Sequence, residues 1–374
     1  MLDKGRISSV QLMLLLFMAE MATVFLFVPG IVAREAGRDG WLSILIPVTL
    51  YGLLVALVCV ALGRRYPRQV FTEYLPKILG MIPGKLLAAA YTLVFIHLTT
   101  VIVAEGVGFI HVAFLPETPF SVFTVVLASV AAYGVYLGIE VIARQNGLVF
   151  SVFVISVLFI LALVANETRL INFRPFLEDG LIPILKGSMV PAAWRGEVFL
   201  ILMLLPYLNR KEEALQTGLG TIFMSGVFAA AVFAGTIGVF GDLVTSCLAY
   251  PVHSLIRYIS LADFLERVEL LLVIIWIAGT IIKLAIFIHT CCIAAATTLG
   301  LNNYRHTIIP ISTIIVIIAT TVYQSHYRIV EFLTKVWPFY AYTIELIIPG
   351  LVLIIALLRK KRDDNEINAK LNKL

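Results

Sequence analysis

The chain has 374 residues, of which 60% are hydrophobic and only 14% charged, and its formal net charge is +5. Soluble domains carry about 25% charged and about 45–50% apolar residues, so a soluble enzyme, a disordered chain and a nucleic-acid binder are excluded. Lipid must be the solvent for most of this chain.

Apolar segments follow one another along the sequence. A hydrocarbon core about 30 Å thick is crossed by about 20 helical residues. Ten segments meet this requirement and are called spans 1 to 10: 9–33, 41–63, 84–111, 119–139, 146–165, 182–207, 217–240, 267–299, 307–323 and 336–358. The alternating pattern of a β-barrel is absent from the sequence. We therefore predict an all-α integral membrane protein, with one transmembrane domain over 1–374 that includes a short polar tail at 359–374.

Basic residues predict the orientation. With the N-terminus inside, the inner loops receive more Lys and Arg than the outer loops, and an even number of spans returns the C-terminus to the same side. Both termini are thus expected in the cytoplasm. The four cysteines show no metal-binding spacing with one another or with histidine, so no metal site and no cofactor is predicted.

Spans 1 and 6 contain residues that interrupt helices. Span 1 carries Glu20 near its middle, then the small pair Ala22–Thr23, then Pro29–Gly30. Span 6 contains Pro183, Gly187, Pro191 and Gly196. Proline removes a backbone donor, and glycine costs about 1 kcal/mol inside a helix. We expect span 6 to form two half-helices, at about 182–193 and 197–207.

The two interrupted spans occupy matching positions. Span 1 opens a first group of five spans, 7–165, and span 6 opens a second group, 182–358. Because five is odd, the second group has inverted topology. Interrupted segments at matching positions of inverted repeats indicate a transporter-type binding site. The alternative is that proline and glycine are simply common in membrane helices.

Charged side chains also fall in the middle of spans. They are Glu20, Arg195, Glu197, Lys283 and Glu345, with His97 and Glu105 on span 3. Each costs about 2.5–3.5 kcal/mol at the bilayer centre, so they should face the bundle interior. They either form ion pairs that join spans 1, 6, 8 and 10, or face a pocket and carry protons or replace a coupling ion. Lys283 is the candidate cation surrogate, and a lone His97 is more typical of an interhelical hydrogen bond.

Backbone exposed at the breaks predicts the class of ligand. The N–H groups at the start of a half-helix attract a carboxylate, and carbonyls at a helix end attract a cation. A small amino acid offers both charges. We predict that it binds the Ala22–Thr23 backbone and the turn from Arg195 through Gly196 to Glu197. Trp194 is more typical of packing.

Four segments, in this order, resemble the permease-like B subunits of endospore germinant receptors: ISSVQLMLLLF, AGRDGWLSIL, WRGEVFLILMLLPYLNRKEEA and ELLLVIIWIAGTIIKLAIF. The resemblance extends from Ile7 to about Arg362. It implies membership of the amino acid–polyamine–organocation superfamily, with the LeuT-type fold and its five-plus-five inverted repeat. Helices 1 and 6 of that fold are interrupted.

The resemblance implies a receptor that senses nutrients, often amino acids, in the inner membrane of a dormant spore. It implies two partners, an A-type membrane subunit and a C-type lipoprotein. By position, the ligand-binding breaks are Glu20 to Thr23 and Trp194 to Glu197, and the span 8 lysine is Lys283. Superfamily members usually have a glycine at the first break, where this chain has Glu20-Met21-Ala22-Thr23.

Two other functions stay open. The chain could be a proton- or sodium-coupled amino acid transporter, or a structural subunit with a vestigial pocket or an ion conduit. An enzyme is not predicted, because the sequence shows no Ser/His/Asp set, metal cluster or phosphate-binding loop.

Overall fold

The computed structural model describes residues 2–258, 268–324 and 326–362, and these parts are almost entirely helical. Residue 267 at the predicted start of span 8, and 363–374 of the predicted tail, lie outside the described residues. Within the described residues, nine helical stretches are long and apolar enough to cross a membrane. The first, Val28–Gly63, turns at Gly37, whose φ is +53°, so it contains the second half of span 1 and all of span 2. The shorter helix Ser9–Met21 supplies the first half of span 1, and the predicted all-α architecture is confirmed.

Five spans are single helices, and a sixth, span 7, consists of two helices joined at a kink. Spans 3, 4, 5, 7, 8 and 9 run over Met81–Ala113, Phe120–Leu137, Ile139–Val164, Ala214–Cys247, Val268–Leu299 and Ile308–Val322. Span 7 bends at Gly241, where φ is +74°, next to the predicted end of the span at 240. Two short helices, Phe71–Leu79 and Pro251–Tyr258, follow spans 2 and 7.

Proline residues give spans 2 and 10 irregular segments. Span 2 comprises Gly40–Ser43, a π-helical turn at Ile44–Val48 that contains Pro47, and Thr49–Gly63. Span 10 comprises His326–Glu331, Phe332–Val336 (π), Trp337–Tyr342, Thr343–Ile347 (π) and Ile348–Leu358. Pro349 has no N–H to offer the carbonyls of the preceding turn. Instead, the Tyr91 hydroxyl donates to the Ile344 carbonyl at 2.6 Å, and the Cys59 thiol lies 3.8 Å from the Glu345 carbonyl.

The packing separates a protein-enclosed centre from an apolar rim. Span 6 is buried along most of its length, whereas spans 4, 5 and 9 leave long apolar side chains exposed, such as Leu148, Ile155 and Ile309. These exposed faces are suited to contact with the acyl chains of a bilayer. Spans 1 and 6 therefore lie where a site would be shielded from both water and lipid.

The N-terminal segment is tied to the end of span 6. Ile7 N–H donates to the Tyr207 carbonyl at 3.0 Å, and Asn209 N–H donates to the Ile7 carbonyl at 2.9 Å. Asp3 Oδ2 lies 3.1 Å from His289 Nε2 on span 8 and accepts from the Ile139 N–H at 3.1 Å. Burial raises the pKa of Asp3, but the contacts with His289 and with backbone N–H groups outweigh burial and hold this pKa well below its ordinary value.

Candidate ligand site at the interrupted spans

Span 1 leaves the α-helical conformation in mid-membrane. The helix ends at Met21, a 3₁₀ turn covers Val24–Leu26, and the helix resumes at Val28. Pro29 stands in the first turn of the new helix, where its missing N–H breaks no helical bond. Ala22 and Thr23 keep right-handed backbone angles, which explains why the break forms here without the glycine that is usual in the superfamily.

Span 6 changes its helical winding close to the break in span 1. The α-helix runs over Ile182–Arg195, continues as 3₁₀ over Gly196–Leu200, is α-helical again at Ile201–Leu204, and ends in a 3₁₀ turn at Leu205–Tyr207. The span stays helical from Ile182 to Tyr207, so the predicted pair of separate half-helices is replaced by one helix whose winding tightens to 3₁₀ at Gly196. A Cβ on Gly196 would lie 1.8 Å from Glu345 Oε2, so any larger residue here would displace the Glu345 carboxyl.

One buried ion pair joins spans 1 and 6. Arg195 donates to Glu20 Oε2 at 3.0 Å, and both side chains are enclosed. Ser225 on span 7 donates to the same oxygen at 2.6 Å and also contacts the guanidinium. The ion pair and the Ser225 hydroxyl offset part of the free-energy cost of burying two charges. They also join spans 1, 6 and 7 at the level of the breaks.

A second buried ion pair joins spans 6 and 8. The Lys283 ammonium lies 2.9 Å from Glu197 Oε2 and donates to Glu197 Oε1 at 3.2 Å. The Phe287 ring centroid lies 5.9 Å from the same ammonium, one helical turn along span 8. Glu197 is the second residue of the 3₁₀ segment, so a residue of the break itself is bound to the span 8 lysine. The structure therefore brings four of the predicted charges into two pairs that share the span 6 break.

Glu345 occupies a different environment. It lies in the π-helical turn of span 10, fully buried, against Gly196. Tyr51 on span 2 donates to its Oε2 at 3.3 Å, while Oε1 has no hydrogen-bond partner among the described residues. Unlike Glu20 and Glu197, Glu345 has no cation within ion-pair distance in the described parts of the chain. The predicted link of span 10 to the network is thus a carboxyl–tyrosine contact, not an ion pair.

The two predicted residues of span 3 are placed apart. His97 is half-buried, and its Nε2 lies 2.9 Å from the Tyr323 hydroxyl, where spans 3 and 9 meet. This contact is the interhelical hydrogen bond that is typical of a lone histidine in a membrane helix. Glu105 is buried nearer the other end of span 3, beside Thr23 of the span 1 break. Its Oε2 and the Thr23 hydroxyl lack hydrogen-bond partners among the described residues.

Several buried polar atoms near the breaks share this lack of a partner in the described structure. They are Glu20 Oε1, Thr23 Oγ1, Glu105 Oε2, Arg195 Nε, Thr280 Oγ1 and Glu345 Oε1. Most buried polar atoms in proteins have at least one partner, which can be a protein group or an ordered water. This concentration of donors and acceptors without partners suits a polar ligand between the breaks. In the described residues, no group of three His, Cys, Asp or Glu side chains could hold a metal ion.

Two of the cavities that border span 1 in the described structure lie close to the charged residues. One of about 20 Å³ lies between spans 1, 2, 6 and 7, where Met21, Trp194 and Arg195 form part of its wall. Trp194 is buried and packs edge-on against Phe27 at a centroid distance of 5.5 Å, which is a packing role in this conformation. A second cavity of about 240 Å³ lies between spans 1, 3 and 10 and includes Phe27 and Glu105.

Sequence reasoning missed two polar members of the site. Ser225 had a signal, because Thr217, Thr221 and Ser225 form a stripe of small hydroxyl residues at helical spacing on span 7. No comparable sequence signal marked Tyr51, because a single tyrosine in an apolar span can face lipid, another helix or a binding site equally well.

These features define a class of protein: a multi-pass membrane protein in which helices 1 and 6 depart from regular α-helical winding beside two buried ion pairs. The structure of MhsT in complex with L-phenylalanine is similar, with a TM-score of 0.66 and 12% identity over 95% of this chain and 99% of that one. Mhp1, a nucleobase-cation-symport-1 family transporter, is similar with a TM-score of 0.64 and 13% identity over 96% and 93% of the two chains. At such low identities the likeness shows the LeuT-type fold alone.

The chain belongs to the permease-type spore germination protein family, whose model, described as "Spore germination protein", matches residues 6–328. Spore germination protein KB of Bacillus subtilis (strain 168) is 25% identical over 366 residues, which cover 96% of this chain and 97% of the relative. Spore germination protein XB of Bacillus anthracis is 27% identical over 256 residues, 68% of this chain and 71% of the relative. The resemblance in the sequence is thereby confirmed, while 7–165 and 182–358 remain the predicted limits of the two repeats.

Proposed function

We propose that this chain is the nutrient-sensing membrane subunit of a spore germination receptor, and that it binds a small amino-acid-like ligand at the breaks of spans 1 and 6. The observation that carries the proposal is that both breaks are held by buried ion pairs, Glu20 with Arg195 and Glu197 with Lys283. A ligand with an ammonium and a carboxylate can compete for either pair. Membership of the germination family supports the biological setting.

In this proposal the ligand meets main chain and side chains together. The ligand carboxylate lies toward N–H groups of the Ala22–Thr23 segment, which precedes the restarted helix and its positive end. The ligand ammonium lies toward Glu197, in place of or beside Lys283. The buried atoms without partners supply the remaining hydrogen bonds.

The small space at the breaks explains how binding becomes a signal. A cavity of about 20 Å³ beside Trp194 and Arg195 has room for about one water molecule, so an amino acid fits only if spans 1 and 6 separate. A ligand shifts a conformational equilibrium only by its difference in affinity for the two states. The conformation described here, with its small cavity, excludes the ligand. Binding therefore favours the conformation in which spans 1 and 6 are separated, and this conformational change is the signal.

The proposal includes the setting that the family resemblance implies. The chain lies in the inner membrane of the spore with both termini in the cytoplasm. It works there with an A-type membrane subunit and a C-type lipoprotein. Co-purification from spore membranes with a tag on this chain tests the assembly, and recovery of this chain without either partner contradicts it.

The test of sensing is reconstitution of the full chain into liposomes with radiolabelled amino acids. Saturable binding without accumulation inside the liposomes supports a sensor. If no amino acid binds saturably to folded protein, the proposed ligand class is wrong. The Glu197→Gln variant, beside Glu331→Gln as a control on an exposed part of span 10, tests whether the bound ligand uses the span 6 break.

The second candidate function is a proton- or sodium-coupled amino acid transporter. The specific observation in its favour is the similarity of the whole chain to transporter structures such as Mhp1. In such folds, one bundle rocks against the other around a central site. Saturable uptake into the liposomes that depends on a pH or sodium gradient would favour transport over sensing alone.

A further inference from the structure

The end of span 10 meets two other segments at one corner of the bundle. Arg359 donates to the carbonyl of Ile78, near the end of the short helix that follows span 2, at 2.9 Å. Arg65, just beyond span 2, donates to the Ala356 carbonyl at 3.1 Å and to the Lys361 carbonyl at 2.8 Å. These contacts join the ends of spans 2 and 10 through their main chains.

Basic side chains are concentrated at this corner. A Cβ on Gly84 would lie 2.3 Å from the Cα of Pro76, so the start of span 3 also packs directly on the short helix. Six basic residues are thereby brought together, and we call them the basic corner: Arg65, Lys77, Lys85, Arg359, Lys360 and Lys361. All of them except the half-buried Arg65 are exposed. In the described parts of the chain, no carboxylate lies within ion-pair distance of any of the six.

Other basic residues at this end of the bundle have acidic partners. Arg64 donates to the Glu212 carbonyl at 2.6 Å, which places the basic corner at the end that holds the N-terminal segment. Two ion pairs lie at the same end, at 2.5 and 3.0 Å: Arg144 with Glu140, and Arg210 with Glu213. A general excess of Lys and Arg on one side of a membrane therefore does not explain the corner. Like charges repel one another, so an anion would stabilise it.

The backbone at the end of span 10 has a conformation that favours glycine, but the residue there is a lysine. Lys360 has a φ of +52°. Its N–H donates to the Leu357 carbonyl at 3.1 Å, and the Lys361 N–H donates to the Ala356 carbonyl at 2.9 Å, which is the hydrogen-bond pattern of a Schellman motif. A strained position that holds a basic residue indicates a functional constraint. Interaction with the helix dipole needs one cation here, not six.

Exposed apolar side chains adjoin the basic corner. At the start of span 3, Ile82 and Leu86 are 75% and 67% exposed, and Leu86 directly follows Lys85. At the end of span 10, Leu357 and Leu358 are 54% and 78% exposed. Cations beside exposed apolar side chains at the ends of membrane helices match an amphiphile that has an anionic headgroup and acyl chains. A soluble phosphate or an acidic peptide would use only the charges.

We propose that the basic corner binds the headgroup of an anionic phospholipid. The phosphate lies among the basic residues at the end of span 10 and on the short helix, and the acyl chains follow the exposed apolar side chains of spans 3 and 10. The bound lipid joins the ends of spans 2, 3 and 10, so it should stabilise the folded chain. This site is separate from the proposed nutrient site, and neither requires the other.

The experiment measures the thermal unfolding midpoint of the full chain in detergent micelles that contain added lipid. The probes are dioleoyl-phosphatidylglycerol, dioleoyl-phosphatidylcholine, which has the same acyl chains without a net charge, and glycerol 1-phosphate, which has no acyl chain. Phosphatidylglycerol should raise the midpoint at the lowest mole fraction. Each basic residue near an anionic lipid contributes on the order of five-fold in affinity. The variant Lys77→Gln/Lys85→Gln/Lys360→Gln should therefore need about ten- to a hundred-fold more phosphatidylglycerol for half of the effect.

A matched variant controls for net charge. Lys4→Gln/Arg144→Gln/Arg210→Gln removes three cations from the same end of the bundle and should respond like the wild type. An equal response of the two triple variants overturns the inference. Stabilisation by glycerol 1-phosphate as strong as that by phosphatidylglycerol also overturns it, because the ligand is then a soluble phosphate. If only a polyglutamate peptide stabilises the chain, the corner binds protein and the lipid is wrong.

The acidic residues that follow span 10 provide a second control. A chain shortened after Arg362 lacks Asp363 and Asp364, which lie outside the described residues. Because anions near the basic corner compete with the lipid, this chain should respond at the same or a lower mole fraction of phosphatidylglycerol. A lost response would show that residues 363–374 bind the lipid, and the inference would be wrong.

A quenching experiment tests the location of the lipid. In a Cys247→Ser background the remaining cysteines are buried, so Ile82→Cys gives one accessible thiol for a bimane label. Leu148→Cys, at an exposed position of span 5, is the control. Phosphatidylglycerol with brominated acyl chains should quench the label at position 82 more than brominated phosphatidylcholine at the same low mole fraction. Both lipids should quench the label at position 148 equally. Equal quenching by the two lipids at position 82 contradicts the proposed site, whatever the stability of the triple variant.

Discussion

Replacement of Lys283 by methionine keeps the length of the side chain and removes the ammonium that contacts Glu197. The two charged groups lie 2.9 Å apart, and neither side chain is more than 3% exposed. At an effective dielectric constant of about 20, unit charges at this distance attract by about 6 kcal/mol. Desolvation opposes this attraction, but loss of one partner leaves the other charge buried and unpaired, which costs about 3–5 kcal/mol. We expect Lys283→Met to lower the free energy of unfolding by about this amount.

A double-mutant cycle separates the pair from its surroundings. Glu197→Gln/Lys283→Met replaces both charges, so it should recover most of the stability that Lys283→Met loses. The assay is the thermal unfolding midpoint of the four proteins in nanodiscs, with Glu331→Gln as an exposed control expected within about 0.5 kcal/mol of the wild type. Spores that carry the same variants are then scored for germination at limiting nutrient, with the abundance of the subunit measured in parallel.

The expected pattern is restored stability without restored function. The double variant should fold nearly as well as the wild type but respond less to nutrient than Glu331→Gln does. If Lys283→Met is as stable as the control, the buried pair does not form in the membrane. If spores with either single variant respond normally at limiting nutrient, the assignment of Glu197 and Lys283 to the ligand site is wrong.

Three further predictions concern the surroundings of the site. Gly196→Ala places a Cβ 1.8 Å from Glu345 Oε2, so it should cost about 1–3 kcal/mol, and Glu345→Ala should partly relieve that cost in unfolding measurements. Ser225→Ala removes a donor to Glu20 and should cost about 1–3 kcal/mol, whereas Ser151→Ala, where the hydroxyl bonds only to a backbone carbonyl, should cost less. Asp3→Asn should lower the melting temperature at neutral pH; because the pKa of Asp3 is depressed in the folded state, this difference should persist down to about pH 4 and shrink only at lower pH. A difference that disappears between pH 7 and pH 5 would contradict the role of Asp3.

The spans and their interruptions could be predicted because their causes are local in the sequence. Apolar run length defines a membrane helix, and Pro29 and Gly196 mark the places where a helix cannot continue normally. Span 10 shows the limit of this reasoning. It begins ten residues before the predicted start, because Arg328, Glu331 and Lys335 resemble a polar loop although Glu331 and Lys335 pair at i, i+4 on a helix.

The partners of the buried charges could not be predicted in the same way. The sequence places Glu20, Glu197 and Glu345 at similar depths, and nothing local says which of them meets a cation. The fold decides, since Arg195 points toward span 1 and Ser225, and Lys283 meets the first turn of the 3₁₀ segment. Glu345 is left beside Tyr51 because Pro349 and the π-helical turn direct it toward Gly196.

The hydrogen bonds between Ile7 and the end of span 6 have a mechanical consequence. The 3₁₀ segment that starts at Gly196 is followed by one helical turn and then by Tyr207, whose carbonyl accepts from Ile7. If the proposed ligand changes the winding at mid-depth, the change would reach Ile7 through about ten residues of span 6. The peptide at the start of the chain would then shift at one end of the bundle, and a partner proposed above could contact it there.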